Sequence, residues 1–349
     1  MTKFNAIAGV AVAAFFAVST LYTVHEIVGH TRVESSRVLL AGRADGEQWQ
    51  RVLLGARAAA KDYGIELRTE TPPADATADQ QSAWLQSLST SGCDGAVVVM
   101  EDSTSSVDLI DDLAKHTKLV TVGKDTENSR RLCHVGFNQM GAGSKVAWMA
   151  HRELSREGNV VLLTTEAPDS QGEIVRQRLA GFQDGWETSC NAVSHHPLVT
   201  VAVGDGSGLL QALANPKSAL IVAFDVAAAE AAIKTMVSQP ASECIPIIAL
   251  DSSDSILDAI ESGHVSLALF NDAYEDGYEA IGRVAKYSHD DELSLPAPGW
   301  GSSLRCGEIV RKSNVADIRS RLATPLNAGS EPPQLHLSSA EVNASLVGP

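Results

Sequence analysis

Short apolar runs recur along this chain, and each ends on residues able to hydrogen-bond a small molecule. Gly42-Arg43-Ala44-Asp45 follows Val38–Ala41, Glu101-Asp102-Ser103 follows Ala96–Met100, and Lys124-Asp125 comes just after Leu119–Val122. Asp225 lies just beyond Leu220–Ala223, and Asp251 directly follows Ile245–Leu250. Carboxylates accept hydrogen bonds from hydroxyl and amine donors, while Arg and Lys donate in return. Brought together, these residues form a polar pocket for a small ligand. Local roles stand beside that reading. Arg43 and Asp45 also suit exposed loop charges, and Asp102 or Ser103 also suits the cap of a following helix.

The elements that must position these residues are written in the same runs. Apolar stretches without alternation suit strands buried on both faces, as in a parallel sheet covered by helices. Such sheets bind ligands just beyond the carboxyl ends of their strands. Val160–Leu163 is a further run of this kind, whereas Ile65–Thr69 alternates. Helical patterns lie between. Val52, Leu53, Ala56, Ala60 and Tyr63 keep near-helical spacing after Trp49, and Gly64 follows at a C-cap position. Trp84, Leu85 and Leu88 mark a second helix, and Val107, Ile110, Leu113 and Ala114 a third. After Val135-Gly136 the alternation restarts, with helices predicted over 141–154, 172–186, 225–237, 253–263 and 275–287. Strands are predicted over 159–165 and 265–271, with a last one near 304–310. Pro197 separates two candidates, 192–196 and 198–203, for one more strand. The fold class is α/β, and 349 residues exceed one ordinary core, so two lobes are the default.

Composition removes several function classes. A formal charge of −16 argues against nucleic acid, whose phosphates need clustered Lys and Arg. The cysteines at 93, 133, 190, 244 and 306 are scattered without metal-ligand spacing, so no zinc site or other metal is expected and no bridge is assigned. No G-x-S-x-G elbow or persuasive acid–base pair of carboxylates is present, so catalysis is not expected. Gly204-Asp-Gly-Ser-Gly208 has the wrong spacing for a dinucleotide loop, and no cofactor is expected. Lys3 precedes an apolar stretch from Phe4 to about Val24, which reads as an export signal or, preferably, an uncleaved membrane anchor. From residue 321 onward Pro, Ser, Asn and Gly predict a disordered tail.

Several motifs now stand in order. Ser129-Arg-Arg-Leu-Cys-His-Val-Gly136 is followed by Asn138 and Gly141-Ala-Gly143. Arg176-Gln-Arg178 precedes Gly181-Phe182, and Ile248-Ala-Leu-Asp251 precedes Ala259-Ile260 and Gly263. Asn271 precedes Gly277-Tyr278. In this combination, over roughly residues 37–315, the chain resembles the ribose-binding type of periplasmic substrate-binding proteins.

The resemblance implies two doubly wound parallel-sheet lobes joined by a three-crossing hinge that closes on a ligand. It implies a first lobe of residues 37–136 plus 272–300 and a second of 137–271 plus 301–320, after an anchor and linker over 1–36. The crossings are expected near 136–137, 271–272 and 300–302. It implies ligand contacts from Arg176, Asp251 and Asn271, and from Asp125, since Gly123 stands where the family's first acid usually does. Trp49 matches the family's aromatic wall, or is a core tryptophan at a helix start. Asp225 stands where Asn is commoner. Phe137, with Phe224 and Phe270, offers apolar faces or core packing. Asp45, Glu101, Asp125, Asp225 and Asp251 together favour a polyol, an amino sugar or another cationic molecule over a plain pentose. The implied role is capture of a sugar or sugar-like molecule outside the cytoplasmic membrane for the permease of an ABC-type importer. A module tethered by its N-terminal helix and reporting to a membrane sensor or kinase is the alternative. The effector domain of a LacI-type repressor shares the fold, but no helix-turn-helix precedes Arg37.

Overall fold

The computed structural model describes residues 36–323, apart from 44–45, 74, 89, 91, 101–106, 155, 167–171, 190–195, 204–208, 210–217, 241–243 and 290–293. These residues form two six-stranded sheets. The first contains β1 (Arg37–Ala41), β2 (Glu66–Glu70), β3 (Gly95–Met100), β4 (Lys118–Gly123), β5 (Cys133–Phe137) and β11 (Gly301–Arg305). Their spatial order is β11-β5-β4-β3-β1-β2, every pair parallel. The second contains β6 (Asn159–Thr164), β7 (Leu198–Ala202), β8 (Ser218–Ala223), β9 (Ile247–Ala249), β10 (Val265–Phe270) and β12 (Glu308–Val310). Its order is β12-β10-β9-β8-β6-β7, with only the β10–β12 pair antiparallel.

Helices cover both faces of each sheet, which explains the unbroken apolar runs. On one face of the first sheet, α1 (Glu47–Tyr63) and α8 (Ala273–His289) pack Val52, Ala56, Ile281 and Val284 against Val38, Leu40, Val97 and Val120. On the other, α2 (Ala78–Ser87) and α3 (Val107–Ala114) bury Leu85 and Ile110 on Leu39 and Val98. In the second sheet α4 (Gln139–Glu153) and α5 (Glu173–Ser189) cover one face with Val146 and Phe182. The opposite face takes α6 (Val226–Val237), α7 (Asp254–Ser262) and α9 (Val315–Leu322). β2 sits at an edge, and its Glu66-Leu-Arg-Thr-Glu70 sequence alternates accordingly. Local signals set the helix ends. Thr77 and Gln80 make a reciprocal cap on α2, while Gly64 and Gly263 take left-handed φ values of 66° and 87° after α1 and α7.

The chain passes between the sheets three times among the described residues. It leaves β5 for α4 at Asn138, leaves β10 for α8 at Asn271-Asp272, and leaves β11 for β12 at Cys306-Gly307. The last passage differs from the sequence expectation. The strand foreseen near 304–310 is two strands in different sheets, split where Gly307 adopts φ 74°. Residues 301–305 therefore pair with β5 in the first sheet, and the crossing lies beyond 300–302. β5 itself was not foreseen as a strand, since His134 and Gly136 interrupt its apolar pattern. Of the two candidates around Pro197, 198–202 is the strand; 191–195 lie outside the described residues. Helix α9 runs to Leu322, past the expected start of the tail, and 324–349 are outside the described residues.

Helices α1 and α8 approach too closely for any side chain at two points of their contact. A Cβ on Gly55 of α1 would lie 1.8 Å from the Tyr274 carbonyl oxygen, and one on Gly277 of α8 2.0 Å from that of Val52. Backbone cannot yield as a flexible side chain can. Gly55→Ala should therefore destabilise the protein by about 1–3 kcal/mol or more through overpacking. Urea unfolding checks this; an unchanged midpoint would mean the α1–α8 contact is looser than described.

Candidate ligand-binding site

The crossings orient the site. β5 ends at Phe137 and α4 begins at Gln139, while β10 ends at Phe270 and α8 begins at Ala273. Such short passages bring the carboxyl edges of the two sheets face to face, and both edges carry the polar residues singled out above. Asp45 and Glu101 lie outside the described residues.

On the second sheet's edge, Arg178 organises the site. It projects from α5, its side chain 7% exposed, and its Nη1 donates to Asp251 at 2.9 Å and to the Phe224 carbonyl at 2.9 Å. Its Nε donates to Gln139 Oε1 at 2.7 Å, so one guanidinium joins the ends of β8 and β9 to the first crossing. Asp251 remains 37% exposed behind this bond. Asp225 is the N-cap of α6, accepting from the Ala228 amide at 2.8 Å. It also accepts from the Thr165 amide at 2.9 Å and from the Thr165 hydroxyl, which fastens the end of β6 to that of β8.

Arg176 is placed elsewhere. It is exposed near the start of α5 and pairs with Glu173 one turn away. The structure joins Asp251 to Arg178, not to Arg176. The R-x-R spacing alone did not distinguish the two, because a helix turns consecutive odd positions to different sides.

On the first sheet's edge, both oxygens of Asp125 are taken by Arg131, whose Nε and Nη2 each donate at 2.6 Å. Arg131 Nη1 donates to the Gly299 carbonyl at 2.8 Å, which ties this loop to the chain entering β11. His134 lies beneath, with Nδ1 3.1 Å from the Thr121 hydroxyl and 3.7 Å from Asp125. Trp49 lies in the first core, its ring so near Gly42 that a Cβ there would meet it at 2.5 Å. That matches the core-tryptophan alternative. Phe224 and Phe270 are buried in the second sheet's cores, whereas Phe137 is half-buried at the first crossing, packed beside Gly307. Asn271 is exposed at the second crossing. A narrow cavity lined by Gly42, Arg43, Trp84 and Met100 lies on the α2 side of the first sheet, away from Asp225 and Asp251.

Residues 38–288, well over half the chain, match the model of the periplasmic binding protein domain. The chain belongs to the periplasmic binding protein family. Among solved structures, a periplasmic ribose ABC transporter protein from Conexibacter woesei is 17% identical with a TM-score of 0.64, over 82% of this chain and 95% of that one. AraP, an arabinose binding protein from Geobacillus stearothermophilus, is 17% identical with a TM-score of 0.63, over 81% and 99%. A chain of a mutant XylFII-LytSN complex is 18% identical with a TM-score of 0.61, over 80% and 99%. At these identities the likeness is one of fold. No curated protein matches the chain in sequence.

Two outcomes follow. Arg178→Ala should lose about 2–3 kcal/mol of stability, because it strips charge-assisted bonds from a buried centre, while Arg176→Ala should stay within about 0.5 kcal/mol. Denaturant unfolding of both variants separates them; equal effects would refute the assignment. The second concerns pH. Burial pushes the His134 imidazole below its ordinary value, with Asp125 opposing and Arg131 reinforcing that shift. The unfolded chain therefore takes up this proton at higher pH than the folded one. Its contribution to stability is complete above the ordinary imidazole value and is lost as pH falls through the window below it. His134→Gln should flatten the drop in unfolding free energy between about pH 7.5 and about pH 5.5; a parallel drop in the variant would exclude this residue as its source.

Proposed function

We propose that this protein is an exported solute-binding protein that holds a sugar or sugar-like molecule between its two sheets and delivers it to an ABC-type importer. One observation carries the reading: hydrogen-bonding groups of both sheets stand on facing strand ends, joined by short crossings that can act as a hinge. The lobes are the first sheet with α1–α3 and α8, and the second with α4–α7 and α9. Family membership supports binding over conversion and an extracytoplasmic location. The descriptions of one structural neighbour as an arabinose binding protein and of another as a periplasmic ribose ABC transporter support a carbohydrate.

The described acids bear on the ligand's charge. Asp125 is matched by Arg131, Asp251 by Arg178, and Asp225 by two amides and a hydroxyl. An amine would have to compete with these internal partners, so of the ligands the bare acid count suggested, a neutral polyol fits better than an amino sugar or another cationic molecule. Hydroxyls can use the remaining acceptor lone pairs of Asp251 and Asp125 without separating either ion pair.

A second reading has support from the sequence. The nearly uninterrupted apolar stretch after Lys3, free of charge until Glu26, suits a retained anchor, as in a tethered ligand sensor. XylFII, one of the structural neighbours, is described in a complex with LytSN. Residues 1–35 lie outside the described ones, and no described helix is long and apolar enough to cross a membrane. Mapping the N-terminus of the exported protein discriminates: a cleaved chain favours the importer, an intact one the sensor.

The ligand class is tested by a thermal-shift screen of neutral sugars and polyols against their amino analogues. Ligand at about a hundred times its Kd should stabilise the protein by about 2.7 kcal/mol. Asp251→Ala should weaken the best binder about ten- to a hundredfold by calorimetry. Stabilisation by amines alone would overturn the neutral-ligand reading, and undiminished binding by the variant would remove Asp251 from the site.

A further inference from the structure

The ligand-binding edges leave unused a dense group of charges beside the second and third crossings. Arg51 of α1 grips Asp272, with Nε and Nη2 donating at 3.0 and 2.5 Å; both side chains are buried. Arg305, the last residue of β11, pairs with Glu275 and Asp276 in the first turn of α8. These bonds fix the first-lobe ends of both crossings.

Two further contacts join one lobe to the other without following the chain. Arg51 Nη1 donates at 3.0 Å to the carbonyl of Arg321, in the last turn of α9 on the second lobe. That carbonyl lies in the last turn of a helix, where the partial negative charge suits a guanidinium. The Arg321 side chain lies over the Phe270 ring at 5.4 Å and pairs with Glu308, both on the second lobe. Its Nη1 stands 3.9 Å from Glu275 on the first lobe. Glu275 is thus shared, one oxygen facing Arg305 and the other Arg321. Helix α9 contributes to neither crossing, so turning the lobes about the crossings must change both of its contacts with the first lobe.

We propose that Arg51, Glu275 and Arg321 form an ionic latch between the lobes that sets how far apart they stand, and so tunes ligand affinity from outside the cleft. The effect on affinity rests on the binding reading above, whereas the latch itself does not. Both Glu275 and Arg321 are partly exposed, which makes their link weak enough to open and sensitive to salt.

The test reads lobe separation without ligand. Donor and acceptor dyes are carried on unnatural residues at exposed positions 79 and 187, one in each lobe, and energy transfer is measured in single molecules of the full chain. Glu275→Gln and Arg321→Gln spare the buried Arg51–Asp272 pair, and circular dichroism verifies that they fold. Each should change the ratio of lobe arrangements by roughly 1.5- to fivefold. The double variant should match the single ones, and high salt should move the wild type toward them while leaving the double variant unmoved. Unchanged transfer in both single variants, additive shifts in the double variant, or a salt response surviving in it would each overturn the latch. Because no ligand is present, a null result in the sugar screen would sink the binding reading and leave this measurement intact.

Discussion

Burying a strand on both faces drives its polar chemistry to its ends. Strands β3, β6 and β8 follow this rule: they are apolar through their middles and turn polar where they emerge. Parallel pairing then puts those emerging ends on one edge of each sheet. Crossings of only one or two residues oblige the two edges to confront each other. The site thus follows from burial and connectivity before any ligand is considered.

The same confrontation creates an electrostatic difficulty. Carboxylates gathered at facing edges repel one another, and partial burial raises the cost. The protein answers within each lobe: Arg131 takes Asp125, Arg178 takes Asp251, and Asp225 is spent on a helix end and Thr165. Each acid is held in place by a bond that leaves acceptor capacity over. Preorganisation of this kind suits recognition by hydroxyl pattern, since an incomplete match leaves desolvated groups unpaired.

Much of the fold was legible because its signals are local. Val38–Ala41, Ala96–Met100 and Leu220–Ala223 need no partner to be read as buried strands, and Gly64 and Gly263 end their helices as residues free to take positive φ. What escaped was non-local. β5 carries His134 and Gly136, which make sense only against Thr121 and the neighbouring strand. The division of 301–310 between two sheets depends on which edge each half meets. At the site, acids could be placed by their position after strands, but their arginine partners could not. Arg176 and Arg178 differ by two positions in sequence and wholly in environment, and only the packing of α4 on α5 decides which is buried. Trp49 had two roles open to it, and the lack of a side chain at Gly42 admits its ring to the core.

The first core is finished by residues from the far side of the second. Ile281 and Val284 of α8 close the face opposite α2 and α3, and β11 covers the free edge of β5. A ribosome therefore delivers the entire second sheet but its β12 edge before the first can be sealed. Contacts of such long sequence separation form slowly. During synthesis the leading part of the chain stays without its closing helix and edge strand until residues 273–305 have been made.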